Sequence, residues 1–159
     1  LESINSLAAR YYTASRAAEA EPLYREAMLG FEQARGPDHP RTIALKENLS
    51  GALLSLGQHE ASETMTREVL AARRRVLGDR HPDVARTLLN LSVVQSTRGD
   101  LDGARATIDD ALARTREAFG DRHLQVAQCL RSRGDVQRKA KAWQAAIDDY
   151  RAALALRRQ

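Results

Sequence analysis

Side chains that are mostly apolar recur along the middle of the chain at the spacing of one helical face. From Asp83 to Thr97 this face is formed by Val84, Leu88, Leu91 and Gln95. From Leu101 to Phe119 a second face is formed by Ala104, Ile108, Ala111, Leu112 and Phe119. Gly99 separates the two stretches, and Gly120 is placed for a left-handed turn at the end of the second. No β-branched alternation persists for five residues, so the pattern predicts a pair of α-helices.

The helix pair recurs at a fixed distance along the chain. Two sets of residues are spaced by 42 positions: Gly36, Gly78 and Gly120, and His39, His81 and His123. A period of a few tens of residues is typical of solenoids, in which each unit buries its apolar face by stacking on the next. We therefore predict a single domain with repeats at approximately 1–36, 37–78, 79–120 and 121–159. Because the chain begins without Met, we expect it to be a fragment of a longer protein.

Small residues occupy one position on the second helix of every repeat: Ala20, Ser62, Ala104 and Ala146. Two further columns continue the same helix interface: Tyr24, Thr66, Ile108 and Tyr150, and Ala27, Val69, Ala111 and Ala153. The break between the helices is Gly57 in the second repeat, but Ser15 and Lys141 stand there in the first and fourth. Both residues tolerate a left-handed turn less well than glycine, and in the fourth repeat the turn is predicted at Lys141.

The order of break glycine, small residue, aromatic residue and alanine resembles the tetratricopeptide repeat. The 42-residue period, with EAEPLY (19–24) and LGDRHPDVA (77–85), resembles the repeats of kinesin light chains and their bacterial relatives. The resemblance covers residues 4–158 and implies an all-α, right-handed superhelical solenoid of four helix-turn-helix repeats. HEAT repeats have a similar period. They rank second because the glycine break and the small-residue column belong to tetratricopeptides.

Composition narrows the classes of function. The net charge is +4 and aromatic residues make up 4% of the chain, which is short of the concentrated basic and aromatic surface that nucleic acids require. No run approaches the roughly 18 apolar residues of a membrane span. The single cysteine, Cys129, fits a reducing compartment, so a cytoplasmic location is expected, with no membrane or nucleic-acid partner.

The candidates for chemistry all have structural interpretations. Equivalent histidines in a solenoid are displaced by about a helix layer, roughly 10 Å, whereas metal ligands must meet within about 2 Å of one ion. We therefore expect the three periodic histidines to close the turn before each first helix. Residues 59–63 begin like a zinc-peptidase motif but lack its second histidine. No catalytic residue, cofactor or metal site is expected, and the chain is predicted not to be an enzyme.

The other polar and aromatic candidates are assigned to the surface or to the core. The acidic pairs Asp109-Asp110 and Asp148-Asp149 are interpreted as solvated faces, because adjacent helical residues do not face one point. The arginines at 73–75 and 157–158 lie at helix C-termini, where the macrodipole favours cations. Trp143 and Cys129 are expected to pack in the core.

The expected binding surface is the concave face, which first helices line in tetratricopeptide arrays. Asn48 and Asn90 lie 42 positions apart, and the resemblance implies that they hold the backbone of an extended peptide. A side-chain amide can both donate to and accept from a peptide group. An equal alternative is that these asparagines only cap or face water. Ser6 and Ser132 replace them in the end repeats, which weakens the ladder there.

The predicted peptide-groove residues are Asn5, Tyr12, Asn48, Arg86, Leu89, Asn90, Val93, Arg131 and Arg138, with Glu2, Glu47, Leu54 and Lys139 around them. Arg131 and Arg138 are seven apart and therefore share a helical face. This basic C-terminal half suits a protein or peptide ligand that combines acidic and apolar residues.

The sequence therefore predicts a protein-protein interaction scaffold that binds a peptide or protein segment in its concave groove. The alternatives are a regulatory or sensor module of a larger signalling enzyme and a nucleic-acid-binding helical repeat. We also expect a homodimer through a terminal helix pair, since an apolar strip including Ala146 and Leu156 should be left open on the last helix.

Overall fold

The computed structural model describes residues 1–157, and these form eight α-helices with no strand among them. The helices are α1 (Glu2–Thr13), α2 (Ala17–Arg35), α3 (Pro40–Ser55), α4 (His59–Leu77), α5 (Pro82–Arg98), α6 (Leu101–Phe119), α7 (Leu124–Lys139) and α8 (Trp143–Arg157). The predicted all-α helix-turn-helix fold is confirmed. The chain divides after Val76 into two compact units. Helices α1 to α4 lie in the N-terminal unit, apart from the last residue of α4, and α5 to α8 lie in the C-terminal unit.

The core contains the residues that recur at equivalent positions of the second helices. All four small residues of the first column are buried, and so are the four members of the column that begins with Ala27. On α5, all four residues of the predicted helical face are buried as well, including the polar Gln95. The helix begins and ends one residue beyond the predicted limits, whereas α6 has the predicted limits. One residue of the predicted face of α6 is wrong, because Phe119 is exposed at the last turn and stacks on the ring of His123.

The turn inside each helix pair has the same geometry in all four pairs. The residues with positive φ are Ser15 (60°), Gly57 (74°), Gly99 (96°) and Lys141 (61°). In each turn the next residue donates its N–H to a carbonyl five positions earlier, as Asp100 does to Gln95 at 2.9 Å and Ala142 does to Gln137 at 2.9 Å. These bonds satisfy carbonyls that the helix end leaves open. The chain therefore makes this turn even with Lys141, at a backbone cost of about 1 kcal/mol.

The connections between helix pairs end in a different conformation from the one predicted. Gly120 has φ 78° and ψ 172°, so it is extended with positive φ instead of left-handed helical. Gly36 adopts nearly the same angles, φ 90° and ψ 165°. Only glycine reaches this region readily, because any Cβ would clash with the backbone. The periodic glycines therefore turn the chain sharply into the loop before the next first helix.

The periodic histidines begin the first helices, which confirms their predicted structural role. Each is an extended N-cap residue whose Nδ1 accepts the backbone N–H two positions later, at 3.2 Å: His39 from Arg41, His81 from Asp83, and His123 from Gln125. Each imidazole thus satisfies one of the N–H groups that a helix start leaves without an intrahelical partner.

Replacing one of these caps should have a measurable effect on stability. We expect His81→Ala to lower the free energy of unfolding by about 1 kcal/mol, the usual cost of losing an N-cap acceptor. His81→Asn keeps an acceptor at this position and should recover most of the loss. Chemical denaturation of both variants measures the difference, and Arg80→Ala, on an exposed neighbour, is the control. Equal losses for the alanine and asparagine variants would show that the acceptor contributes nothing.

Candidate functional site

The exposed surface of α5 carries four of the predicted groove residues. Arg86, Asn90 and Val93 are exposed and Leu89 is half-buried between them. Their spacing of three and four residues places them on one side of the helix. Arg86 is held along its own helix, since its Nη2 lies 2.9 Å from Asp83 Oδ1. Its charge is therefore partly neutralised before any ligand arrives.

A cavity of about 300 Å³ lies between α5 and α7. It is lined by Ser92, Val93, Ser96, Ser132, Asp135, Val136, Arg138 and Lys139. Two predicted residues, Val93 and Arg138, meet here from different helices. Val136 and Ser92 are buried and form its base, while half of the Val93 side chain remains exposed. The cavity therefore joins an apolar wall to hydroxyl and charged groups.

The charged groups around this cavity are held by neighbouring side chains. Lys139 Nζ donates to Ser96 Oγ at 2.9 Å, which ties the end of α7 to α5. Tyr150 Oη on α8 donates to Asp135 Oδ1 at 2.8 Å. Burial raises the pKa of Tyr150, and the bond to Asp135 raises it further, so the phenol stays a donor at neutral pH. With one carboxylate and two cations, the lining residues carry a net positive charge.

A second, smaller cavity of about 40 Å³ lies beside Arg86 and Leu89. Cys129 lines it, is buried, and has its Sγ 3.6 Å from Thr115 Oγ1. Burial raises the pKa of the Cys129 thiol, so the thiolate that would act as a nucleophile is disfavoured. Cys129 therefore packs as a small apolar residue, as predicted.

The remaining predicted arginine, Arg131, is exposed on α7 but does not line the larger cavity. It lies two turns before Arg138 on the same helix, as the spacing predicts. The structure thus places the two arginines on one helix surface, but only Arg138 beside Val93.

In the N-terminal unit the predicted groove residues lie on α1 and α3. Asn48 is exposed on α3, and Asn5 is half-buried on α1 with no hydrogen-bond partner for its Oδ1 in the described part of the chain. Tyr12 Oη lies 3.5 Å from Ser55 Oγ and crosses Gly51, where an added Cβ would be 3.1 Å from that oxygen. The absence of a side chain at Gly51 lets the Tyr12 ring lie across α3.

Two ion pairs involve buried charged residues, and one of them shows that the solvated position predicted for Asp149 is wrong. Arg73 lies near the end of α4, as predicted, and it is buried, with its Nη2 2.6 Å from Glu47 Oε2. Asp149 is also buried, not solvated, and accepts from Arg133 Nε and Nη2, each at 2.7 Å. Arg133 also reaches Asp109 at 2.9 Å. The sequence offered a signal for Arg73, because the equivalent positions of the first and third repeats hold the uncharged residues Phe31 and Thr115.

The last helix exposes a different apolar strip from the one predicted. Trp143 was expected in the core, but it is 60% exposed at the first turn of α8. Ala146 is buried against the rest of its unit and Leu156 is half-buried, whereas Ile147 and Leu154 are exposed. The difference arises because Ala146 belongs to the small-residue column that faces the first helix of the same repeat, on another side of α8.

The comparisons with known proteins agree with this architecture. The sequence profile of the tetratricopeptide repeat family matches residues 1–74, 41–113 and 97–159. Among solved structures, BtubC (BKLC) from P. vanneervenii superposes with a TM-score of 0.86 at 23% identity, over 97% of this chain and 61% of that one. A protein described as a kinesin light chain from Podosopora anserina gives 0.81 at 19% identity, over 98% and 74%. A Rap protein complexed with Competence and Sporulation Factor gives 0.79 at 17%, over 96% and 41%.

The chain belongs to the tetratricopeptide repeat family, and its fold is of the kinesin-light-chain-like type. The family is one of protein-interaction scaffolds, and its fold is typically not enzymatic. No curated protein matches the sequence, and the chain spans 61% of BtubC. Across residues 1–157, no helix is long and apolar enough to cross a membrane. The same residues contain no group of three His, Cys, Asp or Glu side chains that could hold a metal ion.

Proposed function

We propose that this protein is a non-enzymatic scaffold that binds an extended peptide or protein segment on the exposed surface of its first helices. The observation that carries the proposal is the cavity between α5 and α7, where Val93 and Arg138 meet. An apolar wall with a few polar groups is what a side chain of a bound peptide needs for affinity and orientation. The fold shared with a Rap protein complexed with a factor is consistent with this role.

The charges favour a ligand that combines acidic and apolar residues. Asp135 already accepts the Tyr150 hydroxyl, while the Arg138 and Lys139 side chains leave net positive charge at the cavity. A carboxylate on the ligand would form charge-assisted hydrogen bonds with Arg138, and an adjacent apolar side chain would cover Val93. Asn90 lies one turn from Val93 and can hold the ligand backbone, as Asn48 can in the N-terminal unit.

Charge reversal provides the test of this surface. We expect the wild-type chain to enrich acidic-apolar sequences from a peptide-display library. Arg131→Glu with Arg138→Glu should weaken the selected peptides by at least about tenfold, as the loss of a central charged contact does. Fluorescence anisotropy with the selected peptides measures the affinity. Arg35→Glu with Arg105→Glu, on exposed second-helix positions, makes the same change of charge away from this surface and is the control.

The asparagines provide a separate arm of the same experiment. Asn48→Ala with Asn90→Ala should abolish binding of the selected peptides and leave the melting temperature nearly unchanged. Loss of folding would mean that the two residues are structural. Equal affinity of all variants would exclude the proposed surface. A cytoplasmic location stays a prediction.

We also propose that the chain associates with itself through a terminal helix pair. The exposed apolar side chains of α8 support this, because contiguous apolar surface is usually covered in solution.

A further inference from the structure

The cavity between α5 and α7 combines hydroxyl groups with cations. Its lining residues include three serines and two basic residues: Ser92, Ser96, Ser132, Arg138 and Lys139. Side chains with hydroxyl, guanidinium and ammonium groups are the ones that contact phosphate oxygens in protein complexes with nucleic acids. A phosphorylated side chain carries a charge of about −1.5 to −2 at pH 7 and three strong acceptor oxygens. The lining therefore matches a phosphate group in both charge and hydrogen-bond donors.

Two of the three hydroxyl groups have a hydrogen that is free for a ligand. Ser92 Oγ donates to the Leu89 carbonyl oxygen at 2.7 Å, so this hydroxyl is already used. Ser96 Oγ accepts from Lys139 Nζ at 2.9 Å, and the Ser96 hydroxyl has no acceptor of its own among the described residues. The half-buried Ser132 side chain has no hydrogen-bond partner within residues 1–157. A ligand with several acceptor oxygens would satisfy both donors.

The two cations also lack a carboxylate partner. Neither Arg138 nor Lys139 forms an ion pair in the described chain, whereas Arg133 of the same helix pairs with two aspartates. Asp135, which precedes both cations on α7, bonds the Tyr150 hydroxyl instead. Both cations are exposed, so an anion from solution can reach them.

Asp135 is the lining residue that opposes an anion. Its Oδ1 accepts the Tyr150 hydroxyl, and the Arg138 guanidinium lowers the pKa of Tyr150, although burial and the bond to Asp135 outweigh this effect. Two cations and one carboxylate leave the lining with a net charge of +1. The cavity also lies in the C-terminal halves of α5 and α7, where the macrodipole weakly disfavours anions. Binding must therefore come from side-chain donors, and substitutions can remove these one at a time.

The size and the lining of the cavity favour a side chain over a nucleotide. Its volume of about 300 Å³ is at the lower end of the roughly 300 to 1,000 Å³ that ligand pockets span. No aromatic residue is among the described residues that line it, so a nucleobase would have no ring to stack on. Half of the Val93 side chain is exposed at the same cavity, which suits an apolar residue beside the phosphorylated one.

We propose that this cavity binds a phosphoserine or phosphothreonine side chain of the peptide ligand. The proposal rests on the proposed function and specifies the ligand residue that Arg138 contacts. Arg138 and Lys139 pair with the phosphate oxygens, and Ser96 and Ser132 donate their hydroxyl hydrogens to them. An aspartate or glutamate of the ligand would reach the same cations, but it has one acceptor oxygen fewer for the two hydroxyls.

Three peptide libraries test the chemistry of the ligand. Each has one fixed central residue, which is phosphoserine, glutamate or serine, between the same random positions. We expect the wild-type chain to retain the phosphoserine library at least about tenfold better than the glutamate library, because the dianion forms more charge-assisted hydrogen bonds. Equal retention of these two libraries would overturn the phosphate site alone and leave the proposed function standing. If no library is retained, the proposed function fails with it.

Ser132→Ala removes one hydroxyl and separates phosphate from carboxylate binding. Fluorescence anisotropy with the best phosphoserine peptide should show affinity lower by about tenfold, the usual effect of losing a hydrogen bond to a charged group. The same peptide with glutamate in place of phosphoserine should change by less than about twofold, because its carboxylate does not need this donor. Thr64→Ala removes an exposed hydroxyl from α4, a second helix, and is the matched control. Equal losses for the two peptides would show that Ser132 does not recognise phosphate.

The pH dependence of binding is an independent measurement. The second pKa of a phosphate monoester is about 6, whereas a glutamate side chain is ionised above about pH 5. The charged residues at the cavity are Asp135, Arg138 and Lys139, and no histidine is among the described residues that line it. We therefore expect the affinity for the phosphoserine peptide to rise by at least about threefold from pH 5.5 to 7.5, as the dianion forms. The glutamate peptide should stay constant over this range. A flat profile for the phosphoserine peptide would overturn the contact between the dianion and the two cations.

Discussion

Arg133→Ala is expected to lower the free energy of unfolding by about 3 kcal/mol, because it leaves a buried carboxylate without its cation. The Arg133 guanidinium bonds both oxygens of Asp149 on α8 and also reaches Asp109 on α6. It thus joins three helices of the C-terminal unit. The bond to Asp149 raises the pKa of Arg133, and the bond to Asp109 adds to this, so the guanidinium stays charged throughout the ordinary pH range.

The repeat itself supplies the compensating variant. The residues equivalent to Arg133 and Asp149 in the second repeat are Leu49 and Met65, which meet in an apolar cluster. Replacing a buried ion pair by apolar residues of similar volume is often neutral or stabilising. We therefore expect Arg133→Leu with Asp149→Met to restore the stability that Arg133→Ala loses.

Urea denaturation of Arg133→Ala and of the double variant measures how far each changes the free energy of unfolding. Arg131→Ala, on an exposed arginine of the same helix, is the matched control and should change the free energy of unfolding by less than about 0.5 kcal/mol. If Arg133→Ala costs no more than Arg131→Ala, the ion pair contributes little and the packing of Leu130 and Val136 alone holds α7 in place.

The helices and their buried faces follow from the sequence because both depend on a period. One column of small residues recurs four times, and each member is buried at a helix crossing. The histidine caps recur three times with one hydrogen-bond geometry. When the same type of residue recurs at equivalent positions, each repeat supports the structure predicted for the others. A repeat with an atypical residue can therefore be interpreted from its equivalents. The turn at Lys141 illustrates this, since it closes like the glycine turns.

Residues that depart from their column were the ones that sequence analysis misplaced. Two adjacent acidic residues on a helix predict a solvated face, but Asp149 is buried because Arg133 stands opposite it on another helix. Trp143 is large and apolar, which predicts burial, yet it lies on a side of α8 that no described helix covers. Pairing across helices depends on three-dimensional neighbours, which a pattern along one helix does not contain.

The candidate site was likewise predictable from the sequence only in part. The exposure of Asn48 and Asn90 on first helices follows from the helical spacing. The cavity beside Val93 does not, because its shape depends on how Tyr150 lies against α7 and how Lys139 reaches Ser96. Those contacts require side-chain positions from three helices.

The packing of Tyr150 rests on the absence of a side chain at Gly134. A Cβ added at Gly134 would lie 2.7 Å from Tyr150 Cε1, well inside van der Waals contact. In the second repeat the equivalent residues are Ser50 and Thr66, whose hydroxyl oxygens lie 2.6 Å apart. The larger residue on the second helix is thus matched by a smaller one on the first, and the two positions should be coupled.

We expect Gly134→Ser to lower the free energy of unfolding by about 2 kcal/mol through overpacking. It should also weaken binding of the selected peptides, because the displaced Tyr150 ring would lose its bond to Asp135 at the cavity.

Tyr150→Thr alone should lower the free energy of unfolding by about 3 kcal/mol, since it leaves a void beside Gly134. Together, Gly134→Ser and Tyr150→Thr reproduce the hydroxyl pair of the second repeat, and their combined cost should fall below the sum of the single costs by at least about 1 kcal/mol. Urea denaturation of the four proteins gives this coupling energy, and strictly additive costs would show that Gly134 does not accommodate the Tyr150 ring.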